Sequence, residues 1–483
     1  MTRLIVGPFN RVEGDLEVKL DISDGVVTEA RVVSPLYRGF EQILQGKDPR
    51  DALVYAPRIC GICSVSQSVA ATQALAQAQA FGSIPPNGEK SRNLIAAAEN
   101  VADHLTHFYM FFMPDFAREV YRDRTWYGVT AERFRAMQGA AVAEFLPARA
   151  QFMHIIGLMA GKWPHTMTLQ PGGSTKSVEP QEKFRLGALL GSFRRFLEST
   201  VYGDRLEDFA ALDSLEALQK WRTDRRQASD VVRFLDAADD LALEKLGRAA
   251  DLFMSYGAYG VGDGHLFSRG VRSLDRMEEL DAATIAEDVS HAWMQGGHAP
   301  LHPYEGHTFP EWDEDTGYTW CKAPRLSGRV VEVGAFARQV VDGQPLALDA
   351  LGRGGGNARN RVLARFIEVA RIVPEMERWV AEIEPGDEFC IQADMPDMAE
   401  GAGLVEAARG SLGHWLRVRD GRIDNYQIVA PTTWNFSPRD ATETPGALEQ
   451  ALVGATVRDG ETEPVAVQHI VRSFDPCMVC TVH

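Results

Sequence analysis

Two Cys-x-x-Cys motifs stand at opposite ends of this 483-residue chain, Cys60-Gly-Ile-Cys63 and Cys477-Met-Val-Cys480. One such motif is weak by itself, since it fits a redox pair, a metal site or merely two small buried residues. Two of them supply four thiolates, enough to close a four-coordinate cage around a soft metal. The two ends of the chain then have to meet at one point, and no cut through the sequence leaves an independently functional piece. Length alone suggests about three domains. No linker-like stretch, internal repeat or low-complexity tail divides the sequence, so residues 1–483 are read as a single domain.

Composition removes several alternatives. Six cysteines are too sparse for a disulfide framework, and Cys321 and Cys390, with no partner nearby in sequence, are read as ordinary buried thiols. Fifty Lys and Arg against 67 Asp and Glu leave a net charge of -17, the wrong sign for a protein that grips nucleic-acid phosphates. The longest uncharged stretch, from Ile59 to Gly88, is studded with Gln and Ser and ends in Pro85-Pro86. It reads as a buried helix rather than a membrane span. The first residues meet acidic side chains too early for a signal peptide, and a cytoplasmic location is expected.

The chain opens and closes with strand patterns. Leu16–Ile22 alternates, Ser23-Asp24-Gly25 turns, and Val26–Val33 returns; the segment from His414 to Val429 repeats the pattern around Asp420-Gly421. Between them apolar residues recur every three to four positions over Arg92–Phe112, Glu179–Trp221, Ala228–Met254, Asp275–Met294 and Arg361–Ile383, which predicts helices. The fold class expected is mainly α with small β-hairpin regions at both ends, an α+β chain. Gly296–Arg325 and the glycine cluster Leu351–Arg361 are read as loops. His298, His302, His307 and Cys321 in the first fit no compact zinc spacing. The second lacks the lysine and serine of a phosphate loop, which leaves its arginines as partner contacts.

Cys60 and Cys63 precede the uncharged helix, whose N-terminal N–H groups favour thiolates. Cys477 and Cys480 lie where chain ends usually fray, so something must tie them down. At this point the sequence resembles the large, catalytic subunit of nickel-iron hydrogenases. The resemblance rests on Arg11-Val-Glu-Gly14; Arg38-Gly-Phe-Glu41 with Arg58-Ile-Cys60-Gly-Ile-Cys63; Asp103-His-Leu-Thr-His-Phe-Tyr109; Ala408-Arg409-Gly410 with Ala430-Pro-Thr-Thr-Trp-Asn435; and Asp475 to His483.

The resemblance implies a set of roles. Cys60, Cys63, Cys477 and Cys480 would hold nickel, with Cys63 and Cys480 bridging to an iron that carries carbon monoxide and cyanide. Glu13 matches the proton-relay glutamate. Arg409, held by Asp103 and Asp475, matches the arginine above the open metal position, and Pro431 and Thr432 match the residues around the cyanides. Glu41, the carbonyl of Ile428 and His483 match a second metal position, usually magnesium, although one imidazole is atypical for so hard an ion. Dihydrogen has no charge or dipole to grip, so it must be split between a metal and a base. An arginine is normally locked protonated, which ranks the Cys477 thiolate ahead of Arg409 as that base.

Four departures from the family pattern point one way. Gln67 stands where catalytic members place a histidine near a bridging thiolate, and Asp15 replaces another histidine. Ile62 and Phe111 stand where smaller valine and leucine line the inner gas channel. Together they resemble the regulatory, hydrogen-sensing branch, oxygen-tolerant and of low turnover, whose members also end three residues after the last cysteine. The implied partners are an iron-sulfur small subunit, since this chain holds no iron-sulfur pattern of its own, and a sensor histidine kinase, with a dimer of heterodimers as one assembly. An energy-conserving uptake hydrogenase is the first alternative. A non-enzymatic zinc or electron-transfer scaffold, or a relative of complex I, is the alternative of another class.

Overall fold

The computed structural model describes residues 2–224, 229–297, 299–313 and 315–483. It is mainly helical with small antiparallel sheets. The N-terminal sheet pairs Thr2–Val6, Glu17–Ser23 and Val26–Val33 in that order. Its expected turn is present: Ser23 faces Val26 across Asp24 and Gly25, at φ 52° and 74°, the left-handed pair that a two-residue hairpin requires. Near the other end Ala399–Ala407, Gly410–Arg419 and Arg422–Val429 form a second meander, turning at Asp420 and Gly421 with φ 51° and 68°.

The two ends share one core. Val18, Leu20, Val27 and Val32 of the first sheet pack against Leu448, Leu452, Val467, Ile470 and Phe474. Backbone bonds join them, from Val27 N–H to Ala455 O and from Gly454 N–H to Val27 O, both 2.9 Å. Glu13 runs beside Cys477 as a parallel bridge, with the Met478 N–H on Glu13 O at 2.7 Å. The C-terminal cysteines are thereby pinned by backbone before any metal is considered.

Most of the expected helices are found with shifted limits. Pro86–Thr106 continues as a wider π turn over His107–Phe112, a local widening that often marks a functional site. Glu179–Trp221 resolves into Pro180–Phe196, a π turn to Tyr202, then Leu206–Ala210 and Leu215–Asp224, interrupted at Gly203 with φ 66°. The long helix Ala358–Glu382 crosses the core.

Three expectations need correction. The Leu351–Arg361 cluster, read as a loop, is helical except at Gly355, Gly356 and Asn357, where one helix ends at Gly354 and the next opens at Ala358. Of the Ala228–Met254 pattern, only Asp230–Asp240 is a continuous helix; Ala228 lies outside the described residues, and Phe253 opens a hairpin of Phe253–Val261 with Gly264–Arg272. Asp275–Met294 is not helical. It holds short strands at Met277–Glu278 and Ile285–Asp288, the latter paired with Ala323–Leu326. Strand pairing overrides a local amphipathic rhythm in both places, with the next strand of a hairpin at Phe253 and with a distant strand at Ile285–Asp288.

The uncharged stretch is the buried helix Ser64–Ala78. It lies directly on the strand Ala399–Ala407, where a Cβ at Gly401 or Gly403 would run into the carbonyl oxygen of Ala74 or Ala70. Backbone cannot yield as a side chain does, so Gly403→Ala is expected to destabilise the protein by about 3 kcal/mol, the upper end for overpacking. Chemical denaturation checks this, and a midpoint within error of the unmodified protein would refute the close approach.

Candidate metal centre

The four motif cysteines converge. Their sulfurs all lie within 4.8 Å of one another, and they form the single His/Cys/Asp/Glu group of metal-binding geometry found among the described residues. Cys60 Sγ is 3.5 Å from Cys477 Sγ, and Cys480 Sγ is 3.0 Å from Cys63 and 3.1 Å from Cys477. All four are buried and free. Neighbouring thiols of Cys477, Cys480 and Cys63 hold Cys60 well below its ordinary pKa, while the same crowding pushes Cys63 well above it. Four thiolates cannot share this space without positive charge between them. Soft donors so arranged fit the thiophilic metal pair implied by the sequence.

Each pair is held by local structure. Cys63 caps the helix Ser64–Ala78. The free N–H groups of that terminus, expected to favour the thiolates, are instead taken up at Val65 and Ser66 by a carboxylate. Glu99, on the neighbouring helix, accepts from Val65 N–H at 2.8 Å, Ser66 N–H at 2.9 Å and Trp163 Nε1 at 2.9 Å. Burial pushes the Glu99 carboxyl up to about 7 against the pull of those donors. On the other side, Cys477 N–H donates to Thr432 Oγ1 at 3.2 Å, and Thr433 Oγ1 donates to Thr481 O at 2.9 Å. Pro431 opens the short helix Pro431–Asn435 that presents both threonines. Arg38 joins the two segments, donating to the carbonyls of Ile59 and Val479, the residues just before Cys60 and Cys480.

Arg409, Asp103 and Asp475 form a charged group beside the sulfurs. Arg409 donates through Nη1 to Asp103 Oδ2 at 2.6 Å, through Nη2 to Asp475 Oδ1 at 3.2 Å, and through Nε to Asp475 O at 2.9 Å. All three are buried. Although burial opposes its charge, Asp103 and Asp475 raise the Arg409 guanidinium well above its ordinary value. Burial pushes Asp103 up to about 7 even beside Arg409, whereas Asp475, which also faces His107 and Arg365, is held below its usual range. Glu13 is half-buried; burial and the nearby Cys60 raise its pKa, and Arg409 and Arg38 oppose.

Glu41, the Ile428 carbonyl and His483 also come together. His483 Nε2 lies 2.8 Å from Ile428 O and 3.2 Å from Glu41 Oε1. Sequence reasoning missed the residues that complete this site. Lys322 Nζ donates to Gln427 Oε1 at 2.7 Å and Glu287 Oε2 at 3.3 Å, lies 3.6 Å from Glu41, and Thr308 donates to Glu41. Burial opposes the Glu41 charge, but Lys322 and His483 hold its pKa down at about 2. The adjoining cavity of about 20 Å³ has room for one water-sized body.

The remaining candidates separate cleanly. Ile62 and Phe111 are each half-buried, Ile62 packed on the main core and Phe111 on the π turn, its carbonyl taking a bond from Arg11 at 2.9 Å. Cys321 is buried, and Cys390 is partly exposed rather than buried. His302 contacts Ala282 O and the Tyr304 ring, and His298 lies outside the described residues. In the glycine cluster, Gly356 N–H donates to Asp251 at 2.8 Å. The arginines there, expected to face a partner, pair internally: Arg353 with Glu216, Arg359 with Asp239 and Arg361 with Glu332.

Comparison with known proteins agrees with this geometry. The nickel-dependent hydrogenase family matches residues 38–122 and 119–483. The periplasmic [NiFeSe] hydrogenase large subunit of Desulfomicrobium baculatum is 30% identical over 100% of this chain and 95% of its own length. The uptake hydrogenase large subunit of Rhodobacter capsulatus is 27% identical, again over 100% and 95%. Among solved structures, the Ni-Fe-Se hydrogenase of D. vulgaris Hildenborough in the reduced state superposes with a TM-score of 0.85 at 30% identity, covering 100% of both chains.

Proposed function

The chain belongs to the nickel-dependent hydrogenase family, and on that premise we propose that it oxidises dihydrogen as the large subunit of an uptake-type enzyme, passing electrons to an iron-sulfur small subunit. One observation carries the reading: four buried cysteine sulfurs from both ends of the chain within 4.8 Å. Cys60, Cys63, Cys477 and Cys480 would hold the nickel, Cys63 and Cys480 the iron with its carbon monoxide and cyanide. When bound, that centre supplies the acceptor for the electron pair of dihydrogen.

The chain's own residues manage the proton. Arg409, held protonated by two carboxylates, contributes fixed positive charge and orientation rather than a base. That leaves the Cys477 thiolate to take the proton and Glu13, whose backbone runs beside Cys477, to carry it outward. A raised pKa suits this relay, because a carboxyl that binds a proton too weakly cannot accept it near neutral pH. Pro431 and Thr432 would face the cyanides. Glu41, Ile428 O and His483 would hold magnesium or another divalent cation, with Glu287 adding negative charge nearby and Lys322 pairing with both carboxylates.

Purified with its small subunit, the protein should contain nickel and iron and reduce an artificial acceptor in a hydrogen-dependent manner. Glu13→Gln should keep both metals and lose about 10²-fold or more of that activity. Zinc without nickel would reject the assignment.

A second reading, a hydrogen sensor signalling to a histidine kinase, is favoured by Gln67, Ile62 and Phe111. The uptake and periplasmic enzymes it resembles weigh toward the first. Turnover separates the two: fast oxidation quickly lost in oxygen belongs to uptake, slow oxidation that survives oxygen to sensing.

A further inference from the structure

Gln67 lies one helical turn beyond Cys63, on the same face of the helix Ser64–Ala78. It is fully buried and only half satisfied. Its Oε1 accepts from His414 Nε2 at 2.8 Å, while its own Nε2 has no partner. A buried amide nitrogen without an acceptor is costly, so this orphan donor requires an explanation.

The residues behind Gln67 determine which way its amide points. Tyr426 Oη is 2.7 Å from His414 Nδ1, and that ring nitrogen is the one hydrogen-bond partner of the buried hydroxyl among the described residues. The hydroxyl must therefore donate, because accepting would leave its own proton unpaired. A ring nitrogen that accepts bears no proton of its own, so the imidazole carries a single N–H. With Nδ1 accepting, that proton sits on Nε2 and faces Gln67. Gln67 has to answer with its oxygen, and its NH₂ is turned away from His414.

We propose that Tyr426 and His414 are positioning residues of the metal centre: through Gln67 they fix two amide N–H donors toward the cyanide that its iron would carry. The chain of bonds runs from the strands Arg422–Val429 and Gly410–Arg419 to the cysteine-bearing helix. It rests on the nickel-iron reading above. Loss of the Tyr426 hydroxyl would free the His414 tautomer, let the Gln67 amide reverse, and put an oxygen where a donor had been.

The test is an infrared spectrum of the holoenzyme, with nickel and iron content confirming that each variant is loaded. Tyr426→Phe is expected to shift the cyanide and carbonyl stretching bands, Gln67→Met to shift them as well, and the double variant to match Gln67→Met alone. Unchanged bands in Tyr426→Phe, or a shift that adds to that of Gln67→Met, would overturn the positioning role. Unmodified protein with no such bands at all would instead remove the nickel-iron reading on which the proposal stands.

Discussion

Replacing Cys480 with alanine is expected to abolish nickel and iron retention together and bring hydrogen oxidation to the limit of detection, while the chain stays folded. Its sulfur is the closest to two others, 3.0 Å from Cys63 and 3.1 Å from Cys477, so removing it opens the cage on both sides. The fold does not depend on it. The segment from Asp475 to His483 remains held by the Glu13 bridge, by Arg38 on the Val479 carbonyl and by Thr433 on the Thr481 carbonyl. Elemental analysis, acceptor reduction and a denaturation curve read the three parts separately. Full metal content in the variant would mean that the cluster is not the ligand set.

The second large effect concerns Arg409. Arg409→Met leaves two buried carboxylates facing each other without their cation, and breaking a buried ion pair from one side costs about 3–5 kcal/mol. Activity should fall by at least about 10²-fold, because a fixed charge aimed at the reacting position is lost. Stability and catalysis can be separated: adding Asp103→Asn and Asp475→Asn removes the stranded charges and should restore most of the denaturation midpoint, since replacing an entire buried ionic group is often nearly neutral. It should not restore turnover. Recovery of both would reduce Arg409 to a structural role. Arg409→Lys keeps the charge but loses the fork that reaches both aspartates, and falls between.

What could be read from the sequence follows the range of the interactions. The Asp24-Gly25 and Asp420-Gly421 hairpins were legible because a two-residue turn is specified within four residues. The strand Ala399–Ala407 was not, since its Gly401 and Gly403 weaken strand propensity and make sense only beneath Ala70 and Ala74 of a distant helix. The hairpin Phe253–Arg272 was hidden behind a helical rhythm that ends at Asp240. In the site, spacing exposed the cysteines. Asp103, Arg409 and Asp475 are single charged residues in unrelated segments, and only the family resemblance drew them together. Glu99, Glu287, Lys322 and His414 gave no signal at all: His414 meets Gln67 from 347 residues away, and no local pattern encodes such a pair.

The meeting of Cys60 with Cys477, 417 residues apart, also sets an order of events in the cell. At a synthesis rate of about 5–20 residues per second, the second pair of ligands is made roughly 20–80 seconds after the first. For most of that interval the helix Ser64–Ala78 must pack without the strand Ala399–Ala407 that covers it, because that strand is translated only about 70 residues before Cys477. The four-sulfur site therefore cannot close until the segment that carries Cys477 and Cys480 has been made.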